Sequence, residues 1–197
     1  MSNLDADELL RLQDQSFLLA KKKIDQKVSG LLLASQQALA DRITQHAPPL
    51  TSGLSLQPRK ISKGENYADM PYWVSDFPAD MKGKDLWTYR TVVWWGHSIS
   101  FNLILAGKFK EAVKLEMEGL MANGNYFAMS DSPWRLEFAD ENLRACSDLS
   151  ANEMQTHFDK NSFVKVSRQE NLENINNLVH LSVLSFEKLI NGLSKLA

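Results

Sequence analysis

LWTYRTVVWWGHSISFNLILAG, Leu86 to Gly107, decides how the rest of the chain is read. Two runs rich in valine, isoleucine, threonine and aromatic residues flank a Gly-His pair, which is the composition and punctuation of a β-hairpin. With Gly96 first and His97 second, the pair fits a two-residue type II′ turn, setting Trp95 opposite Ser98 and fixing the register. That register predicts a core face of Leu86, Thr88, Arg90, Val92 and Trp94 beside Ile99, Phe101, Leu103 and Leu105. The opposite face then carries Trp87, Tyr89, Thr91, Val93 and Trp95 beside Ser98, Ser100, Asn102 and Ile104. Aromatic bodies mixed with hydroxyls and an amide suit a ligand wall or a partly wet packing surface. A sheet this small needs cover on at least one face, and long helical patterns lie on both sides of it.

Upstream, Asp5 and Glu8 have the spacing of a capping box, and an acidic first turn suits the helix dipole. From Phe17 the stripe Phe17, Ala20, Ile24, Val28, Leu31, Ser35 and Leu39 keeps one helix face apolar until Ala47-Pro48-Pro49 stops it. Arg42 and His46 fall in the last turn, where cations complement the dipole. Lys21, Lys22 and Lys23, flanked by Asp14 and Asp25, read as a solvated face. Unbroken, this helix runs roughly 60 Å, longer than a domain of this size is wide. Either Ser29-Gly30 breaks it into two packed helices, the favoured reading, or its stripe pairs with a second copy of the chain.

Residues Pro48 to Lys60 form a connector. KGENY, Lys63 to Tyr67, reads as an irregular stretch, and PYWVSDFP as a short edge strand because prolines bound it. Downstream, Lys108 to Met121 is loosely amphipathic and predicts a helix ended by Asn123-Gly124-Asn125. YFAMSDSPWRLEF is ambiguous between strand and loop, Ser150 to Asp159 fits a short helix, and FVKVS, Phe163 to Ser167, a final strand. Ser167 and Glu170 form a second capping box ahead of the stripe Leu172, Ile175, Val179, Val183, Phe186, Ile190 and Leu193. The fold class is therefore α+β: a small, mainly antiparallel sheet packed against long N- and C-terminal helices. One domain is expected to span 1–197, with a helical segment 4–47, a sheet-containing region 60–168 and a C-terminal helix 169–196.

Hydrophobic content of 44% with 23% charged residues is enough for a core and argues against disorder. A formal charge of −2 offers no basic excess for nucleic acid, so no nucleic-acid partner is expected. No apolar run is long enough to span a bilayer, and MSNLDADELL lacks the charged start and apolar run of a secretory signal. Together with a lone cysteine, Cys146, these features lead us to expect a cytoplasmic protein without a membrane partner. Cys146 has no neighbouring motif to activate it and reads as a small core residue.

Among residues that could carry chemistry, Arg90 is the sharpest signal, because the predicted register buries a permanent cation. It requires carboxylates, carbonyls or a bound anion, with Glu65, Asp76, Glu116 and Glu137 as the candidate acids. KGENY brings Glu65 and Tyr67 into a stretch that suits a site equally well as a surface turn. Trp87, Trp94, Trp95 and Trp134 read first as core or interface aromatics. His97 at the hairpin tip lacks a nucleophile motif, and His46, His97, His157 and His180 lack ligand spacing, so neither a metal site nor a cofactor is expected.

KGENY, MPYWVSDFP, YRTVVWWG with Ser100 and Leu103 to Gly107, SPWRLEFADEN and FVKVS together make the region Lys60 to Ser167 resemble a bacterial family of uncharacterised proteins. The resemblance implies one α+β domain and carries over no catalytic residue. Members of that family often carry a histidine just after the tryptophan that corresponds to Trp134, where this chain has Arg135 and Leu136, so the resemblance implies no histidine chemistry here.

No reaction is named by these residues. The reading they favour is a non-catalytic cytoplasmic interaction protein that self-associates as a homodimer through its helices, because apolar helix surface exceeds what a small sheet buries. The alternative is a small-molecule or anion-binding protein or enzyme. Its pocket would lie on the Trp-rich hairpin, formed by Glu65, Tyr67, Arg90, Trp94, Trp95, His97 and Trp134.

Overall fold

The computed structural model describes residues 3–121 and 124–196. Its strands are β1 (Ser62–Tyr67), β2 (Met70–Lys82), β3 (Asp85–Trp94), β4 (Ser98–Ala106), β5 (Val113–Leu115), β6 (Tyr126–Ala128), β7 (Leu143–Ala145), β8 (Phe163–Glu170) and β9 (Leu193–Lys195). The helices are α1 (Ala6–Gln13), α2 (Gln15–His46), α3 (Lys108–Glu111), α4 (Met117–Met121), α5 (Ala151–Lys160) and α6 (Leu178–Ile190). Among the described residues, seven strands form one antiparallel sheet in the order β1-β2-β3-β4-β8-β6-β7, and β5 pairs with β9 apart from it. The architecture is α+β, with α2 and α6 packed together across one face of the sheet.

The hairpin is where expected, but its turn has three residues, Trp95-Gly96-His97, so Trp94 and not Trp95 lies opposite Ser98. The His97 N–H donates to the Trp94 carbonyl at 3.2 Å, and Gly96 takes φ 69° at the third position of that turn, where a type II turn needs a positive value. One added residue moves every β3 side chain to the other face relative to β4. The core face is therefore Trp87, Tyr89, Thr91 and Val93 beside Ile99, Phe101, Leu103 and Leu105, not the set predicted. Tyr89 is fully buried there; its hydroxyl donates to the Ser182 carbonyl of α6 at 2.6 Å, and its ring meets Phe186 edge-on. Burial pushes the Tyr89 hydroxyl pKa far above its ordinary value, so it stays a donor.

Other expectations change for local reasons. PYWVSDFP belongs to a 13-residue strand that lies inside the sheet, because KGENY forms β1 and takes the edge. Pro78 is accommodated at the register shift between Asp76 and Ala79, where no ladder donor is required of it. The helix expected over Lys108 to Met121 is divided into α3, β5 and α4: Val113 and Leu115 are buried on alternate positions of β5, which β9 completes. Of the stop expected after it, Asn123 lies outside the described residues. Ser167 caps nothing; it sits in β8, and Asn171 instead accepts the Glu173 N–H to start the 3-10 turn Leu172–Asn177 that leads into α6. The C-terminal helix thus spans Leu178–Ile190, and β9, not FVKVS, is the last strand.

The N-terminal helix does not break at Ser29-Gly30. α2 runs 32 residues through Gly30, and the interruption falls at Asp14, whose carboxylate accepts the Ser16 and Phe17 N–H groups. The Asp5-Glu8 capping box is present on α1. Gln36 anchors α2 to the sheet: its amide donates to the Arg59 carbonyl and to the Ser75 hydroxyl of β2, both at 3.0 Å, and accepts the Arg59 N–H at 2.8 Å. Arg42 of α2 pairs with Glu187 of α6.

Two glycines separate backbone entropy from packing. A Cβ at Gly30 meets nothing within 4 Å, whereas one at Gly119 would collide with the Asn191 carbonyl oxygen beyond α6. We expect Gly30→Ala to stabilise the protein by about 0.5–1 kcal/mol and Gly119→Ala to destabilise it by about 1–3 kcal/mol, read from urea denaturation midpoints. A Gly30→Ala variant that is destabilised would contradict a continuous α2.

Candidate functional site

The face of the sheet away from α2 and α6 carries a polar stripe built from the pleat alternation of β2, β3, β4 and β8. Asp76 and Arg90 are cross-strand neighbours, and the guanidinium grips the carboxylate at both oxygens, Nε to Oδ1 at 2.7 Å and Nη2 to Oδ2 at 2.9 Å. Thr88 adds a hydrogen bond to Oδ1 at 2.9 Å, and the Trp134 ring covers the guanidinium at 4.3 Å. Arg90 thus sits on the opposite face to the one predicted, and its partner is Asp76, one of the four candidate acids.

Next along the stripe, Asn102 is 1% exposed and fully engaged: it donates to the Arg90 carbonyl and the Ser100 hydroxyl, both at 3.1 Å, and accepts from Ser167 at 2.7 Å. The segment 129–142 crosses above these groups. Tyr67 holds it, accepting the Leu136 N–H at 3.1 Å and donating to Glu137 at 2.9 Å, while Leu136 packs with Val74, Val92 and Trp94. Burial raises the pKa of Tyr67. For Glu137 burial also acts upward, but its own backbone N–H, the Tyr67 hydroxyl and Arg135 outweigh it and hold the carboxyl below the ordinary range.

Lys165 lies beneath this segment, on β8 beside Ile104, and is 1% exposed. Its amine donates to the Arg135 carbonyl at 2.5 Å, and among the described residues it has no carboxylate in contact. Burial, helped by the nearby Arg90 charge and opposed by Glu137, pulls its pKa down to about 7. The sequence reading missed this residue. Its signal was a lone lysine between Val164 and Val166, which only a strand buried on both faces would force inward.

The seven residues expected to share a pocket divide between the two faces of the sheet. Tyr67, Arg90, Trp94, His97 and Trp134 lie on the polar face, where Trp94 stacks on His97 at 3.6 Å and meets Tyr67 edge-on at 5.3 Å. Glu65 and Trp95 lie on the α2 side: Glu65 pairs with Lys63 and Lys21, and Trp95 packs on Trp73 with Lys21 5.8 Å above its ring. Trp95 also borders an apolar groove of about 350 Å³, shared with Ile24, Val28, Leu31, Val93 and Ile175. Cys146 is buried, and burial pushes its thiol up to about 12, which leaves it unreactive at neutral pH.

The chain was compared with family models, curated proteins and solved structures, and none of them matches it.

Lys165 makes stability depend on pH with a definite sign. In the unfolded chain its amine holds a proton up to about 10.5, and in the folded protein only up to about 7. Below the folded value both states are charged, and the native state bears the full burial cost. Above it the unfolded state binds the extra proton, so stability rises with pH until the ordinary lysine value is reached. The advantage of Lys165→Met over the wild type should therefore shrink by about 3–4 kcal/mol between pH 7 and pH 10 in urea titrations. A difference that is flat across that range would show that the amine keeps its proton in the folded state.

Proposed function

We propose that this chain is a non-catalytic, cytoplasmic interaction protein, one α+β domain that self-associates as a homodimer through its N-terminal helices. The observation that carries this reading is where the apolar stripe of α2 loses its cover. Val28, Leu32, Ser35, Leu39 and Ile43 are buried against the sheet and α6. Before Val28 no residue of α2 is buried, and none of α1 is. Leu4, Leu9, Leu10, Leu12, Phe17, Leu18, Leu19 and Ile24 are each at least 42% exposed. α2 passes through Gly30 without folding back, and no described helix covers them. Eight large apolar side chains left uncovered along one arm of two projecting helices are what a binding partner covers, whereas single exposed leucines need no explanation. No described helix is long and apolar enough to cross a membrane.

The ligand-binding alternative draws less support. Asp76 takes the Nε–Nη2 edge of Arg90 and balances its charge, and Trp134 covers the guanidinium, which leaves the Nη1 side as the part that an anion could still use.

Light scattering over a dilution series tests self-association. The wild type is expected to be dimeric, and the double variant Leu10→Glu, Leu18→Glu monomeric with an unchanged circular dichroism spectrum. Each leucine is worth about 1.5–3 kcal/mol when buried and occurs twice in a symmetric dimer, so the dissociation constant should rise at least about a hundredfold. A wild type that stays monomeric at the highest concentration would end this reading.

A further inference from the structure

The groove beside Trp95 and the exposed arm belong to one surface. Ile24 stands on the exposed stripe of α2 and also lines the groove, so the stripe that begins at Phe17 leads, past Lys21, to the space between Val93, Trp95 and Ile175. Water has few partners on such a lining.

Charge indicates what fills it. Residues 3–14 carry Asp5, Asp7, Glu8 and Asp14 against Arg11, a net of −3. Residues 15–28 carry Lys21, Lys22, Lys23 and Lys27 against Asp25, a net of +3. Two parallel arms would set like charges side by side. Two antiparallel arms set each acidic segment along the basic segment of the other copy, and a twofold axis makes both contacts at once. An antiparallel approach carries the acidic α1 of one copy toward Lys27 in the basic segment of the other. Lys27 lines the groove. The interruption at Asp14 gives α1 a direction of its own, independent of the α2 axis.

We infer that the groove formed by Ile24, Val28, Leu31, Val93, Trp95 and Ile175 receives the leucine face of α1 from a second copy of this chain, with the two arms antiparallel. This inference rests on the self-association proposed above and adds the occupant, the groove and the orientation. Each copy then completes the other's groove, and Leu9, Leu10 and Leu12, which are exposed on α1, become core residues of the dimer.

Directed disulfide formation between differently tagged chains tests it. One chain carries Leu10→Cys; the other carries Asn176→Cys, an exposed position on the groove rim. Cys146, buried with a high pKa, stays silent. After mixing and mild oxidation, a heterodisulfide should take up most of the paired chains. It should be absent when Asn176→Cys is replaced by Lys84→Cys, which lies just before β3, at the opposite end of that strand from Trp95. A light-scattering dimer that gives no Leu10–Asn176 heterodisulfide would overturn the docking mode while self-association stands. A monomer at every concentration would overturn both, and a monomer that sediments with neutral lipid vesicles would assign the arm to a lipid surface instead.

Discussion

The side-chain alternation of β3, set by the turn Trp95-Gly96-His97, is the constraint on which the rest depends. A strand has a period of two, so a single residue in the turn decides whether Tyr89 or Arg90 faces the helices. With three turn residues, the four large groups Trp87, Tyr89, Phe101 and Leu103 come to one side and give α2 and α6 a continuous apolar floor. The same choice sends Arg90, Asn102 and Ser100 to the other side, where no long helix lies over them. With two turn residues, the Tyr89 hydroxyl would lose the Ser182 carbonyl and a guanidinium would enter the helix interface, each a cost of several kcal/mol at a buried position.

The opposite face meets its requirement with polar groups. Asp76, Arg90, Thr88, Asn102, Ser100 and Ser167 satisfy one another through hydrogen bonds, so the half-buried ion pair and the buried polar groups beside it are accommodated without large cost. Lys165 is the exception, because its single acceptor is the Arg135 carbonyl of the covering segment. A proton on that amine is disfavoured by burial and by Arg90, whereas the hydrogen bond to a carbonyl survives its loss, since a neutral amine still donates. The segment 129–142 is consequently held at three kinds of contact: Tyr67 on its backbone, Leu136 in the apolar cluster and Lys165 from below. This explains why an irregular stretch with few strand bonds of its own keeps one position over the sheet.

The elements legible in the sequence were those whose cause is local. The hairpin, the Asp5-Glu8 capping box, the stop at Ala47-Pro48-Pro49 and the helix after Ser150 follow from residues within a few positions of one another, and each is present. What was not legible depends on partners far along the chain. Val113 and Leu115 form a strand only because residues 193–195 pair with them, and KGENY is a strand only because it adds to β2. PYWVSDFP read as an edge because its prolines were visible and the bulge that accommodates Pro78 was not. Of the candidate site, the need of Arg90 for a carboxylate was argued from a register that the three-residue turn overturns; Asp76, one of the named acids, is its partner all the same, on the opposite face. Which of the seven residues share a face was not readable, because that answer changes with one residue of turn length.

The continuity of α2 links the fold to the self-association proposed for it. Gly30 costs the helix about 1 kcal/mol relative to alanine, and a break there would have let the first half fold back over the body and bury Phe17 and Ile24. The helix holds across it because the segment from Val28 to Ile43 is fixed by core packing and by the Gln36 clamp. Lys21 and Asp25, bridged to Glu65 and Lys63 of β1, aim the next turn outward. The direction of the arm is thus set by core packing behind it together with the partly exposed bridges of Lys21 and Asp25, while no residue of α1, nor of α2 before Val28, is buried. A chain that invests rigid packing in projecting an uncovered apolar helix gains nothing in its own stability by doing so. The projection has a physical return only when another surface covers it, and the charges on either side of Phe17 are ordered so that a second arm, reversed, can do so.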